Sequence, residues 1–234
     1  MEERINSLIE EIRNIKRDLQ IERVLGIGAE AVIVLSRWME FRVVAKYRYS
    51  KRYRDPKLDK ILRRKRTVNE AKVLVACKNN GIPVPSLLYL DDEQSLLLIE
   101  YIEGKRVRDF VPNREKNALE NLFMKIGEYV GMMHAYNIIH GDLTLSNILL
   151  VGDMMFFIDF GLSEFSNELE KQGVDVHILM RAIENMWPLH SSKLIEHFFK
   201  GYEKVRGLWT TNKVKLKVTE IRKRGRYIAE RRKE

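Results

Sequence analysis

His140-Gly141-Asp142-Leu143-Thr144-Leu145-Ser146-Asn147 is the stretch that decides the fold, together with Asp159-Phe160-Gly161, which begins twelve residues after Asn147. Between them, residues 147–158 read NILLVGDMMFFI, two short apolar strands joined at Gly152-Asp153, a favoured hairpin turn. A hairpin over 148–158 predicts that Asn147 and Asp159 stand close together at its open end. Taken singly, each residue has an ordinary role: Asp142 in a turn, Asn147 as a loop cap, Asp159 capping a turn through its side chain. Taken together they supply an amide and a carboxylate suited to a hard cation, with a second carboxylate nearby. Phosphoryl transfer from a nucleotide needs these parts: oxygen ligands that hold magnesium against the phosphates, and a carboxylate near the attacking hydroxyl. Asn147 and Asp159 are therefore candidate magnesium ligands, and Asp142 is the candidate catalytic base.

Upstream, residues 5–19 place Ile5, Leu8, Ile9, Ile12, Ile15 and Leu19 at helical spacing, which predicts an amphipathic helix. Residues 22–48 carry apolar, β-branched runs separated by polar residues and read as antiparallel strands. Asp55-Pro56 offers an N-cap followed by proline at the first helical position, so a helix is expected over 56–78, with Gly81 near its end. Residues 86–104 read as two strands joined by a polar turn. Downstream, helices are expected over 114–136, 174–186, 192–205 and 213–232. The fold class is α+β with two lobes: a helix at 1–21, a strand-rich lobe at 22–103, a helical lobe at 104–221 and a basic tail at 222–234. A hinge near Glu100–Gly104 and a nucleotide cleft between the lobes follow.

The 234 residues, 45% of them apolar, suffice for two small lobes without disulfides or structural metals. The single cysteine, Cys77, lies in an apolar helical run and reads as a core residue in a reducing compartment. The charged first residues hold no apolar leader, and no window nears the roughly 20 apolar residues of a membrane span, so a cytoplasmic protein with no membrane contact is expected. The formal charge of +9 gathers in two blocks, Arg42 to Arg66 and Arg222 to Lys233. Such blocks attract polyanions or form solvated helix faces. His134, His177, His190 and His197 show no metal-ligand spacing and read as structural.

HGDLTLSN and DFG resemble the catalytic and metal-binding loops of the protein-kinase superfamily. That resemblance implies a protein-kinase-like fold and assigns further residues. LGIGAEAVIV resembles a degenerate Gly-rich loop, with Gly26 and Gly28 present and Ala31 at the third glycine position; backbone around Gly28, Ala29, Glu30 and Ala31 would cover phosphates. VVAK resembles the strand motif of the nucleotide lysine, which implies that Lys46 grips the α- and β-phosphates of ATP and that Glu70 pairs with it. Backbone from Glu100 through Ile102 to Glu103 would meet adenine, and Asp175 would support the catalytic loop by hydrogen bonds.

The likeness extends to one branch. GAEA, KYRYSKRYRDPKLDKILRRKRTVNEAKVL, HGDLTLSNILL, IDFGLSEF and VDVHILMRA resemble the kinase-ATPase subunit of the KEOPS (EKC) complex, over about residues 22–232. This implies service to threonylcarbamoyl-adenosine modification of transfer RNA. It also implies two protein partners: the threonylcarbamoyl transferase subunit, at the helical lobe and tail, and a small regulatory subunit at the strand lobe. Arg222, Lys223, Arg224 and Arg226 match the family's basic tail, associated with the transferase partner and with transfer RNA. Two features depart from ordinary protein kinases. Gly141 stands where arginine normally answers a phosphorylated activation segment, and no A-P-E segment follows Asp159. Only fifteen residues separate Asp159 from Val174, leaving little platform for a peptide substrate, so an ATPase or a kinase acting mainly on itself is expected. Two alternatives remain: a small-molecule kinase of the aminoglycoside or choline type, and a non-catalytic RNA-binding scaffold with the same fold.

Overall fold

In a computed structural model, residues 2–51, 53–109 and 116–231 are described, and the chain forms two compact units: Met1–Lys78 with Val84–Glu103, and Asn79–Pro83 with Gly104–Glu234. Among the described residues no helix is long and apolar enough to cross a membrane.

The first unit runs α1 (Glu2–Ile15), β1 (Leu19–Ile27), β2 (Val32–Trp38), β3 (Phe41–Tyr47), α2 (Pro56–Asn79), β4 (Leu87–Asp91) and β5 (Leu96–Glu100). The five strands pair antiparallel in the order β1-β2-β3-β5-β4. Strand alternation sends Val43, Ala45 and Tyr47 to one face and Lys46 to the other. The first face closes on α1, whose Leu8 and Ile12 pack with Val34, Val43, Ala45, Leu96 and Leu98. The Tyr47 hydroxyl donates to Glu11 at 2.7 Å across this contact. On α2, Thr67, Glu70, Ala71, Leu74 and Cys77 recur at helical spacing and are buried. Asp55 Oδ1 accepts the backbone N–H groups of Lys57 (3.1 Å) and Leu58 (3.0 Å), so the N-cap forms as the sequence suggests. Burial pushes the Cys77 thiol up to about 12, as befits a core thiol.

The opening helix is shorter than its periodicity predicts. It ends at Ile15, and Leu19 is the first residue of β1. Leu19 keeps its place in the core, but as a strand residue. Helical and strand readings both bury it, so period alone could not separate them. Asp18 settles the matter by pairing with Lys16 and accepting from Trp38 Nε1 at 2.8 Å, which closes the chain into a turn.

The second unit runs β6 (Lys105–Arg106), α3 (Lys116–Ala135), β7 (Ile138–Ile139), β8 (Ile148–Val151), β9 (Met154–Phe157), β10 (Glu164–Phe165), α4 (Leu169–Met186) and α5 (Ser191–Arg231). The expected helix over 114–136 is α3; residues 114 and 115 lie outside the described residues. Its core includes Phe123, Ile126 and Val130 of α3, Val176, Leu179 and Ile183 of α4, and Phe198 and Tyr202 of α5. α4 begins five residues before the expected 174. Gly173, a weak helix former, falls inside it because a Cβ there would come within 2.7 Å of the Lys217 side chain on α5. The last two expected helices are the two halves of α5, which are separate helices meeting at a kink at Gly207, whose φ of 74° and ψ of 160° are not helical.

α3 and α5 cross at a pair of glycines. A Cβ on Gly127 would run into the Phe198 backbone carbonyl, and one on Gly201 into that of Met124. Rigid backbone on both sides leaves no side chain to yield. Gly127→Ala is therefore expected to cost about 3 kcal/mol, at the upper end for overpacked cores, read as a lower midpoint in urea unfolding.

Candidate active site

The β8–β9 ladder pairs Ile148 with Phe157, and Ile158 N–H then donates to the Asn147 carbonyl at 2.9 Å. This last rung sets Asn147 beside the residue that precedes Asp159. Asn147 Nδ2 donates to the Asp142 backbone oxygen at 2.9 Å and to Asp142 Oδ2 at 3.0 Å. With the amide nitrogen so used, Asn147 Oδ1 remains as an oxygen donor. Asp159 has φ of 63°, a left-handed conformation that aspartate tolerates better than most residues, and its Oδ1 accepts Gly161 N–H at 3.4 Å. One amide oxygen and one carboxylate form an all-oxygen set that fits magnesium, which commonly takes one or two protein carboxylates and fills the rest with water and phosphate. Among the described residues there is no cluster of three or more His, Cys, Asp or Glu fit for a metal.

The loop bearing Asp142 is held from beneath. Asp175, buried inside α4, accepts His140 N–H at 2.6 Å and Gly141 N–H at 2.8 Å. It is the loop support that the family resemblance implies. His134 Nε2 lies 3.5 Å from the same carboxylate, and His134 Nδ1 lies 2.9 Å from the Tyr202 hydroxyl. His140 adds a brace that sequence reasoning missed. Desolvation holds its imidazole below the usual pKa, so the neutral ring accepts Asp142 N–H through Nδ1 (3.3 Å) and donates from Nε2 to the Ile158 carbonyl (3.2 Å). One ring thus ties the residue of the candidate base to the residue before Asp159. Gly141 also has a local cause. Its φ is 81°, and a Cβ would overlap the Leu162 carbonyl, so the arginine of ordinary kinases has no room here.

In the first unit, Lys46 Nζ lies 2.8 Å from Glu70 Oε1, with Lys46 7% and Glu70 1% exposed. Glu70 Oε2 meets Arg48 Nη2 at 2.5 Å, a partner the sequence did not suggest. Gly26 lies in β1, and Gly28 N–H donates to the Ala31 carbonyl at 2.8 Å, closing a tight turn over Gly28, Ala29, Glu30 and Ala31. The Tyr49 hydroxyl donates to the Gly28 carbonyl at 2.8 Å, and Lys51 donates to that of Ala29. Glu30 pairs with Arg66 and, at 3.6 Å, with Arg54. The Glu100 side chain is half-exposed and bonds within its own unit, with Oε2 accepting Ser86 N–H (3.0 Å) and the Ser86 hydroxyl (2.8 Å). Tyr101 N–H donates to the Arg42 carbonyl at 3.2 Å, whereas no described backbone hydrogen bond involves Ile102.

The first basic block is largely spent inside the unit. Arg42 pairs with Glu22 and Glu103, Lys60 with Glu93, Arg63 with Asp59, and Arg64 with Asp92. Arg54 and Arg66 reach the Gly28–Ala31 turn through Glu30, while Lys60 and Arg64 keep more than half of their side-chain surface exposed. On the tail, Arg222 pairs with Glu184 at 2.8 Å, Arg224 pairs with Glu170, and Lys223 is exposed. The Arg226 side chain lies outside the described residues. A cavity of about 490 Å³ beside α3 and the β8–β9 turn is lined by Leu119, Leu122, Leu150 and Met155 and includes none of the candidate residues.

Comparison with known proteins identifies the family. Residues 19–182 match the protein kinase domain family. The KEOPS complex subunit Bud32 of Pyrococcus abyssi is 37% identical over 206 residues, covering 86% of this chain and 94% of that protein. A probable bifunctional tRNA threonylcarbamoyladenosine biosynthesis protein of Methanosphaera stadtmanae is 39% identical; the match covers 86% of this chain but only 36% of that longer protein. Among solved structures, the Rio2 kinase of Chaetomium thermophilum in its ADP/Mg2+-phosphoaspartate complex superposes with a TM-score of 0.64 at 14% identity, covering 92% of this chain and 75% of that one, a likeness of fold. With a kinase domain over most of its length and a relative matched almost end to end, the chain belongs to the protein kinase family and, within it, to the family of the KEOPS complex subunit Bud32.

Proposed function

We propose that the protein is a Mg-ATP-dependent atypical serine/threonine kinase and ATPase of the cytoplasm that supports threonylcarbamoyladenosine modification of transfer RNA within the KEOPS complex. The observation that carries this is the Asn147 amide fixed on Asp142 at 2.9 and 3.0 Å, at the end of the hairpin that Asp159 follows. Asn147 and Asp159 would hold magnesium, which when bound neutralises phosphate charge. Lys46, oriented by Glu70, grips the α- and β-phosphates of ATP, and the Gly26–Ala31 loop covers them with backbone N–H groups. Backbone at Glu100 and Ile102 meets adenine. Asp142 orients the acceptor, water or a hydroxyl, and takes its proton. The short path from Asp159 to α4 leaves little platform for a peptide, which favours hydrolysis or self-phosphorylation over phosphorylation of other proteins.

The relatives' names, a KEOPS complex subunit and a probable tRNA threonylcarbamoyladenosine biosynthesis protein, support a place in that complex. The partners proposed within it are the threonylcarbamoyl transferase subunit at the helical unit and tail, a small regulatory subunit at the strand-rich unit, and transfer RNA near Arg222, Lys223, Arg224 and Arg226. The test is ATP hydrolysis by the purified protein with and without the transferase subunit and transfer RNA. Turnover is expected to be slow alone and to rise when the transferase is added. Unchanged turnover with both added would contradict a role inside the complex.

A further inference from the structure

Arg48 is the first residue past β3, two after Lys46, and its N–H still donates across to the Ser95 carbonyl at 3.1 Å, so the alternation carries on and turns both side chains to the same face. Both end on Glu70, Lys46 on Oε1 at 2.8 Å and Arg48 on Oε2 at 2.5 Å. Arg48 is 3% exposed, as deep as the pair it joins. Its other nitrogen, Nη1, donates to Thr67 Oγ1 at 3.3 Å, and that hydroxyl donates to the Arg63 carbonyl at 2.8 Å. Arg63 in turn donates to the Arg48 carbonyl at 3.1 Å and pairs with Asp59 at 2.7 Å. Residues 59, 63, 67 and 70 fall at helical spacing, so one stripe of α2 grips the end of β3.

Resting on the assignment of Lys46 to the nucleotide phosphates, we propose that Arg48 is the positioning residue of that lysine. The terminal torsion of a glutamate is broad, and a carboxylate held at one oxygen swings about it. Arg48 occupies the second oxygen with a planar fork whose other prong is tied to Thr67, so the first oxygen has one place to hold the Lys46 ammonium. The pair is then set by groups within its own unit. No phosphorylated segment is needed to bring α2 against β3, which agrees with the glycine at position 141 and the short path after Asp159.

The test measures ATP affinity by equilibrium dialysis, and steady-state KM and kcat, on the full chain and four variants. Arg48→Lys keeps the charge, but one ammonium cannot span Glu70 and Thr67 together. It is expected to raise the ATP Kd and KM about tenfold, the size of one lost charge-assisted hydrogen bond, with kcat within about threefold. Thr67→Val frees the second prong, along with the hydroxyl's bond to the Arg63 carbonyl, but leaves Arg48 on Glu70; it should raise both about threefold, which keeps the test readable if Arg48→Lys folds poorly. Arg64→Ala, on the exposed side of α2, should change neither. Lys46→Met tests the underlying assignment: if it binds ATP like the wild type, Lys46 is not the phosphate lysine, whatever Arg48 does. If Lys46→Met is impaired while Arg48→Lys and Thr67→Val keep wild-type Kd and KM, the positioning role of Arg48 is overturned. Lowered thermal stability with unchanged Kd and KM overturns it equally, since it marks a purely structural ion pair.

Discussion

Asp175→Ala is expected to abolish ATP turnover and to destabilise the protein by about 3 kcal/mol, the cost of orphaning one buried and one half-buried donor that now serve a carboxylate. The carboxylate accepts two successive backbone N–H groups, His140 at 2.6 Å and Gly141 at 2.8 Å, immediately before Asp142. His140 is fully buried, so no water replaces the lost acceptor there. The stability loss is read by urea unfolding, and the catalytic loss by turnover under conditions where the variant remains folded. Asp175→Asn retains one acceptor oxygen and should fall between the two. An alanine variant with wild-type turnover would show that the loop holds its geometry without this support.

Much of this arrangement is legible in the sequence because it is local. The spacing of Asp142, Asn147 and Asp159 is a matter of one loop and one hairpin, and Gly152-Asp153 announces the turn. Asp55-Pro56 marks the start of α2 by cap chemistry that needs no tertiary information. What escaped depends on contacts far apart in the chain. Arg48 reads as one more cation in a basic run, and only the approach of α2 makes it a ligand of Glu70. Its one signal was alternation, which puts it on the face of Lys46. Which cations of the same run pair within the unit was not legible either, because Glu22, Glu30, Asp92 and Glu93 lie outside the run and meet it only on folding, while Asp59 lies within it. Gly173 in α4 and the glycine pair where α3 meets α5 follow from close helix packing, which no window of sequence contains. The end of α1 was misplaced because Leu19 fits the period of a helix as well as that of the strand it begins.

Asp142→Asn separates chemistry from binding more cleanly than any other change. The new side chain keeps an oxygen to accept from Asn147 Nδ2, and the backbone carbonyl that shares this donor is untouched. The loop should therefore stand as before, with only the basicity gone. A general base typically contributes about 10²–10⁴ in rate, so turnover should fall by that factor while ATP affinity stays within about threefold of the wild type. Steady-state ATP turnover and ATP affinity measured on the same preparation decide the matter. Loss of turnover with binding intact is the predicted result; an asparagine variant that turns over ATP like the wild type would contradict the assignment of Asp142 to the chemical step.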